Sequence, residues 1–177
     1  MVAVSDLVGR LHGLIDELSS VDHAALSTDE RQQVVLALQA EQARLGVVTA
    51  DALAPWEECG VWRAGGTLRA ELGLGRDAHR DRFRVRQELL RARRLVRMPH
   101  TRAAVLAGRL SMDHVDLFVR HATAARFELF LEHERELVEQ CAGLELFDDA
   151  RRVMQYWAYR ADDELGLRRD RPADSTL

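Results

Sequence analysis

The sequence predicts an all-α protein, an irregular bundle of about seven to eight helices built around one long arginine-rich helix. Three observations predict it. Apolar residues recur at i, i+3, i+4 and i+7 along most of the chain. Strand signals are poor, because Val follows helical spacing and hairpin dipeptides such as Asn-Gly are missing. Breakers are few, with Pro at 55, 99 and 172 alone, while Ala, Leu, Arg and Glu abound.

The elements follow in order. Leu7, Leu11, Leu14, Ile15 and Leu18 form one stripe and predict a helix over 4–18. Ser27 and Glu30 have capping-box spacing and open a second helix. Val34, Leu38, Leu45, Val48 and Ala52 recur along it, and Pro55 is expected to close it. Residues 54–66 read as a loop containing Trp56, Trp62 and Gly65-Gly66. Thr67 is placed to cap a short helix over 68–72, broken by Gly73 and Gly75. The arginine helix is expected over 77–97, ahead of Pro99. Further helices are expected over 100–107, stopped by Gly108, over 112–122, capped by Ser111, over 124–142 and over 148–164. The domain boundary that follows is a single helical domain over 1–166 with a flexible C-terminal tail over 167–177.

Every one of the 25 basic residues is Arg; Lys and Asn are absent, as expected of a high-GC genome. Without Lys there is no phosphate-binding Walker loop and no Schiff base. Cys59 and Cys141 form no Cys-x-x-Cys pair and no disulfide framework, so a reducing cytoplasm is the expected setting. The N-terminus is too charged for a signal peptide, and no apolar run approaches membrane-spanning length, so no membrane partner is expected.

Charge is segregated. Residues 1–60 hold three Arg against ten acids, residues 76–109 eleven Arg against three, and residues 128–164 four Arg against eleven. The overall charge of −4 hides a basic centre between acidic flanks. On a wheel at about 100° per residue, Ala78, Val85, Leu89, Ala92 and Val96 share one arc as the core stripe. Arg76, Arg80, Arg82, Arg84, Arg86, Arg91, Arg93, Arg94 and Arg97 occupy the rest. Phe83 and Leu90 lie within the arginine arc and are the interface candidates. Two readings follow. The arginines pair with the acidic flanks while Phe83 and Leu90 pack on another helix, or the guanidiniums meet phosphates. Arg76, Arg80, Arg84, Arg91 and Arg94 are the nucleic-acid-binding candidates, with DNA favoured. Residues 67–78 into the basic helix, and 103–119 around Gly108, each have a helix-turn-helix outline. A homo-oligomer is the other expected partnership.

His114 and His121 are seven apart, not the four of a helical metal pair. Asp148-Asp149 suits a helix start. No catalytic residue, metal, cofactor or small-molecule substrate is expected of this chain.

Several of these residues carry a family resemblance. Trp62, Gly66-Thr67-Leu68, Leu72-Gly73-Leu74, the arginine helix, Leu95-Val96-Arg97-Met98-Pro99-x-Thr101 and Ala107-Gly108-x-Leu110-Ser111-x-x-His114 occur in an order that resembles the domain of unknown function 222 family. That family includes actinobacterial repeat-family proteins with an HNH endonuclease domain at the C-terminus. The similarity covers roughly residues 30–165. It implies a non-catalytic helical region ahead of a nuclease, with the chemistry beyond Leu177. Glu71 departs from the family, which often has Trp there. Residues 108–114 also resemble the helix-turn-helix of plasmid-partition proteins.

Overall fold

The computed structural model describes residues 3–167; the expected tail over 167–177 lies, apart from Leu167, outside them. Among the described residues the protein is all-α. Eight helices run in order: α1 Val4–Ser19, α2 Thr28–Cys59, α3 Ala70–Asp77, α4 Arg82–Leu95, α5 Pro99–Leu106, α6 Met112–His121, α7 Phe127–Ala142 and α8 Phe147–Glu164. A 3-10 segment, Val61–Gly65, lies between α2 and α3. The chain forms two compact units, Met1–Gln39 and Ala40–Leu177, and α2 runs through the boundary.

In the first unit, α1 forms where its leucine stripe places it, yet it contains no buried residue. The expected capping box opens α2. Ser27 N–H donates to Glu30 Oε2 at 2.9 Å, and Glu30 N–H donates back to Ser27 Oγ at 3.3 Å. The Ser27 hydroxyl donates to Glu30 Oε2 at 2.7 Å, and this bond, followed by the Ser27 N–H bond, holds the Glu30 carboxyl below the ordinary carboxylate range.

In the second unit, the main core is built by α2 and α4–α8. Val47, Leu95, Met98, Val105, Val115, Phe118, Phe130, Val138 and Met154 are buried in it. Phe118, Phe130 and Trp157 meet in series, with ring centroids 5.7 and 5.6 Å apart, tilted and then edge-to-face. A smaller cluster of Trp62, Ala70, Val85 and Leu89 fastens α3 and the 3-10 segment to α4.

Four boundaries differ from expectation, each for a physical reason. Pro55 lies inside α2, which continues to Cys59. Ion pairs grip the helix on both sides of the proline: Asp51 with Arg102 and Glu57 with Arg93. These tertiary anchors override the local break. Gly73 and Gly75 lie within α3 rather than ending it. They are close-approach positions: a Cβ on Gly73 would stand 3.0 Å from Trp62 Cβ, and one on Gly75 3.1 Å from the Arg80 carbonyl. The turn comes later, at His79, whose φ of 52° is left-handed. Arg80 N–H closes it on the Gly75 carbonyl at 2.8 Å. The arginine helix is therefore 14 residues long, shorter than the expected 77–97, because that turn and the Asp81 N-cap define its start. Finally, Thr67 does not cap α3; its hydroxyl donates to the Trp62 carbonyl at 2.7 Å.

Candidate functional site

The wheel for α4 holds in its core and fails at its ends. Val85, Leu89 and Ala92 are buried as expected, joined by Leu95. Val96 is exposed because it is the C-cap, and Ala78 is exposed because it belongs to the turn. Phe83 and Leu90 are 60% and 42% exposed, so no second helix covers the apolar pair.

The candidate arginines mostly meet protein carboxylates. Arg76 Nε donates to Asp77 Oδ1 at 2.7 Å, and its Nη1 to the Gly65 carbonyl at 3.0 Å. Arg80 grips Glu88 with two hydrogen bonds of 2.7 and 2.5 Å. Arg91 grips Asp116 on α6 with two bonds of 2.7 Å. The hydrogen-bonded carboxylates raise the pKa of Arg76 and Arg80 above the ordinary guanidinium value. Arg94 is different: its guanidinium carbon lies 3.9 Å from the Phe127 ring centroid. Burial, followed by the nearby Arg97 charge, lowers its pKa. Of the five candidates, Arg84 alone has no ion-pair or ring partner among the described residues. The wheel placed Arg80, Arg84, Arg91 and Arg94 on one side, but Arg80 meets Glu88, Arg91 meets Asp116 on α6 and Arg94 meets the Phe127 ring on α7.

The pairings explain the charge segregation. Arg93 holds Glu57, Arg97 holds Glu128 at 2.9 Å, Arg102 holds Asp51 at 2.5 Å and Arg109 holds Glu139 at 2.9 Å. With Arg91–Asp116, these pairs tie the basic middle of the sequence to residues before and after it. The planar guanidinium makes two parallel bonds to one carboxylate in several of them. Sequence reasoning saw the alternation of charge but could not name the partners, which lie 25 to 51 positions away. Arg82, Arg84 and Arg86 remain without a carboxylate among the described residues; Arg82 lies against the ring of Phe83 at 4.8 Å.

The residues that carried the family resemblance have structural work here. Leu95 and Met98 are fully buried, Pro99 takes the first position of α5, and Gly108 turns the chain with a φ of 72°. Leu110 is buried. Glu134, buried on α7, accepts the Thr101 N–H at 2.7 Å and so caps the start of α5. Ser111 N–H donates to His114 Nδ1 at 3.3 Å, so a histidine takes the place a Glu or Gln has in a capping box. His114 also meets Phe147 edge-on at 5.0 Å. Burial lowers the pKa of His114 and of His121, which keeps His114 neutral as an acceptor.

Two further features bear on chemistry. Cys59 and Cys141 are both free, and burial pushes the Cys141 thiol up to about 11. Among the described residues no three His, Cys, Asp or Glu side chains gather as a metal site, and no helix is long and apolar enough to cross a membrane.

The comparisons with known proteins returned nothing: no family model, no curated protein and no solved structure matches the chain.

Proposed function

We propose that the chain is a non-catalytic helical module that associates with its own kind through the apolar face of α1, with the arginine helix serving as an internal spine. One observation carries this reading. Every described residue before Ala40 is exposed or half-buried, including the whole leucine stripe of α1. A unit of about 40 residues without a core is supported by oligomerisation, disulfides or metal. An isolated helix of about 15 residues is marginal in water. Both Cys are free, and no metal cluster stands among the described residues. A second copy of the same stripe would supply that cover.

The test is light scattering on the purified chain over a concentration series. The expected mass rises above the 20.1 kDa of one chain and returns to it in Leu11→Asp. A mass of 20.1 kDa throughout would remove the reading.

Nucleic-acid binding is the second reading, favoured by Arg82, Arg84 and Arg86, whose charge no carboxylate neutralises among the described residues. A duplex contacted by three guanidiniums would bind weakly and with a shallow salt dependence. Arg84→Glu with Arg86→Glu should abolish a low-salt mobility shift; an unchanged shift excludes this surface. The accessory place beside an HNH nuclease is a proposal that rests on the motif order from Trp62 to His114.

A further inference from the structure

Residues Val4, Leu7, Leu11, Leu14 and Leu18 alternate steps of three and four, so α1 reads as heptad positions a, d, a, d, a. The remaining positions sort cleanly. Ser5, Asp6, Gly9, His12, Gly13, Asp16 and Ser19 fill b, c and f, the outer face. His12 and Asp16 pair there at 3.5 Å. The flanking e positions are Val8 and Ile15, both apolar and exposed. The flanking g positions are Arg10 and Glu17. Neither side chain has a partner among the described residues. They are seven positions apart, about 10 Å along the axis, too far to pair within one helix.

We infer that α1 pairs with α1 of a second copy in antiparallel register, Leu7 facing Leu18 and Leu11 facing Leu14 of the other chain. The inference rests on the self-association proposed above and adds the partner's orientation. Direction decides what the flanks meet. In a parallel pair, g faces the next e of the neighbour, which sets Arg10 against Ile15. In an antiparallel pair, g faces g and e faces e. Arg10 then meets Glu17 twice across the two-fold axis, and Val8 meets Ile15 twice. Both charges are neutralised and both apolar flanks are covered. A two-fold arrangement of this kind closes on itself and stops at two chains. The parallel alternative leaves two unpaired charges beside apolar side chains, which disfavours it.

Charge reversal tests the register in the full chain. Arg10→Glu and Glu17→Arg should each weaken the dimer roughly tenfold, because each replaces two attractions by two repulsions. The double variant should recover to within about threefold of the starting affinity. Helix content by circular dichroism controls for loss of α1 itself. Direction is read separately by cross-linking in a Cys59→Ser background. Leu7→Cys and Leu18→Cys should each fail to cross-link with themselves under mild oxidation with diamide, and an equimolar mixture of the two should form a disulfide dimer. Self-cross-linking of Leu7→Cys, or a double charge variant no tighter than the singles, overturns the register while association stands. A monomer at every concentration removes the association itself.

Discussion

Cutting the Arg91–Asp116 pair measures how far the arginine helix is held by the protein's own acids. The guanidinium is about one-fifth exposed and the carboxylate somewhat under half, and two parallel bonds of 2.7 Å join them. Open surface pairs contribute about 0.2–1 kcal/mol. A bidentate, half-covered pair belongs at the top of that range, so the coupling should be about 1 kcal/mol. Arg91→Ala also loses the packing of its aliphatic stem and should destabilise by about 1.5 kcal/mol. Asp116→Ala leaves a mostly buried guanidinium unpaired and should lose about as much. The double variant should then lose about 2 kcal/mol rather than about 3. For a chain of this size, that separates the midpoints by about 2–4 °C per kcal/mol. Urea unfolding of the four proteins gives the coupling directly. A coupling below about 0.3 kcal/mol would refute the stitching role. So would an Asp116→Ala variant that keeps its stability and gains salt-sensitive affinity for duplex DNA, since Arg91 would then be a phosphate ligand.

Other outcomes follow from the same geometry. His114 has a pKa lowered by burial, so its unfolded form binds a proton more readily than its folded form. Its contribution is complete above the ordinary value of 6.5 and is lost as pH falls below it. His121 acts in the same direction. His114→Gln keeps the acceptor for Ser111 N–H and should flatten part of that acid sensitivity in melting curves between pH 7 and 5; an unchanged pH profile removes the role. Gly73→Ala should destabilise by about 1–3 kcal/mol, because the new methyl meets Trp62 Cβ at 3.0 Å and Thr67 Oγ1 at 3.3 Å. Gly9→Ala and Gly13→Ala meet nothing within 4 Å and should add about 0.5–1 kcal/mol each to α1, read as helix content by circular dichroism. Glu134→Ala should destabilise by about 1–3 kcal/mol by stripping the buried Thr101 N–H of its acceptor, and chemical denaturation checks it. A loss under about 0.5 kcal/mol would show that water replaces the carboxylate.

Most of the helical plan was legible because periodicity and caps are local. The Ser27–Glu30 box, the Gly108 stop and the end of the arginine helix ahead of Pro99 depend on residues within a few positions of one another, and all three stand in the structure. The misreadings have a common origin. Pro55 and Gly73 are breakers by local rule, but partners far along the chain decide their fate: Arg102 and Arg93 for the first, Trp62 for the second. The partners of the arginine candidates were hidden in the same way. A wheel ranks side chains by angle and says nothing of Asp116 or Glu57, whose positions only the fold sets. Conversely, the leucine stripe predicted α1 as a helix without naming what it packs on. Its amphipathic stripe specifies a partner face without saying which, and no residue of α1 is buried within its own unit.

Amide hydrogen exchange of residues 4–18 in the full chain, followed from low to high micromolar concentration, tests the central claim most directly. If α1 is covered by a second copy, its amides should become more protected as concentration rises, and Leu11→Asp should erase the gain. Exchange of those amides at free-helix rates at every concentration, unchanged by the substitution, would contradict the account.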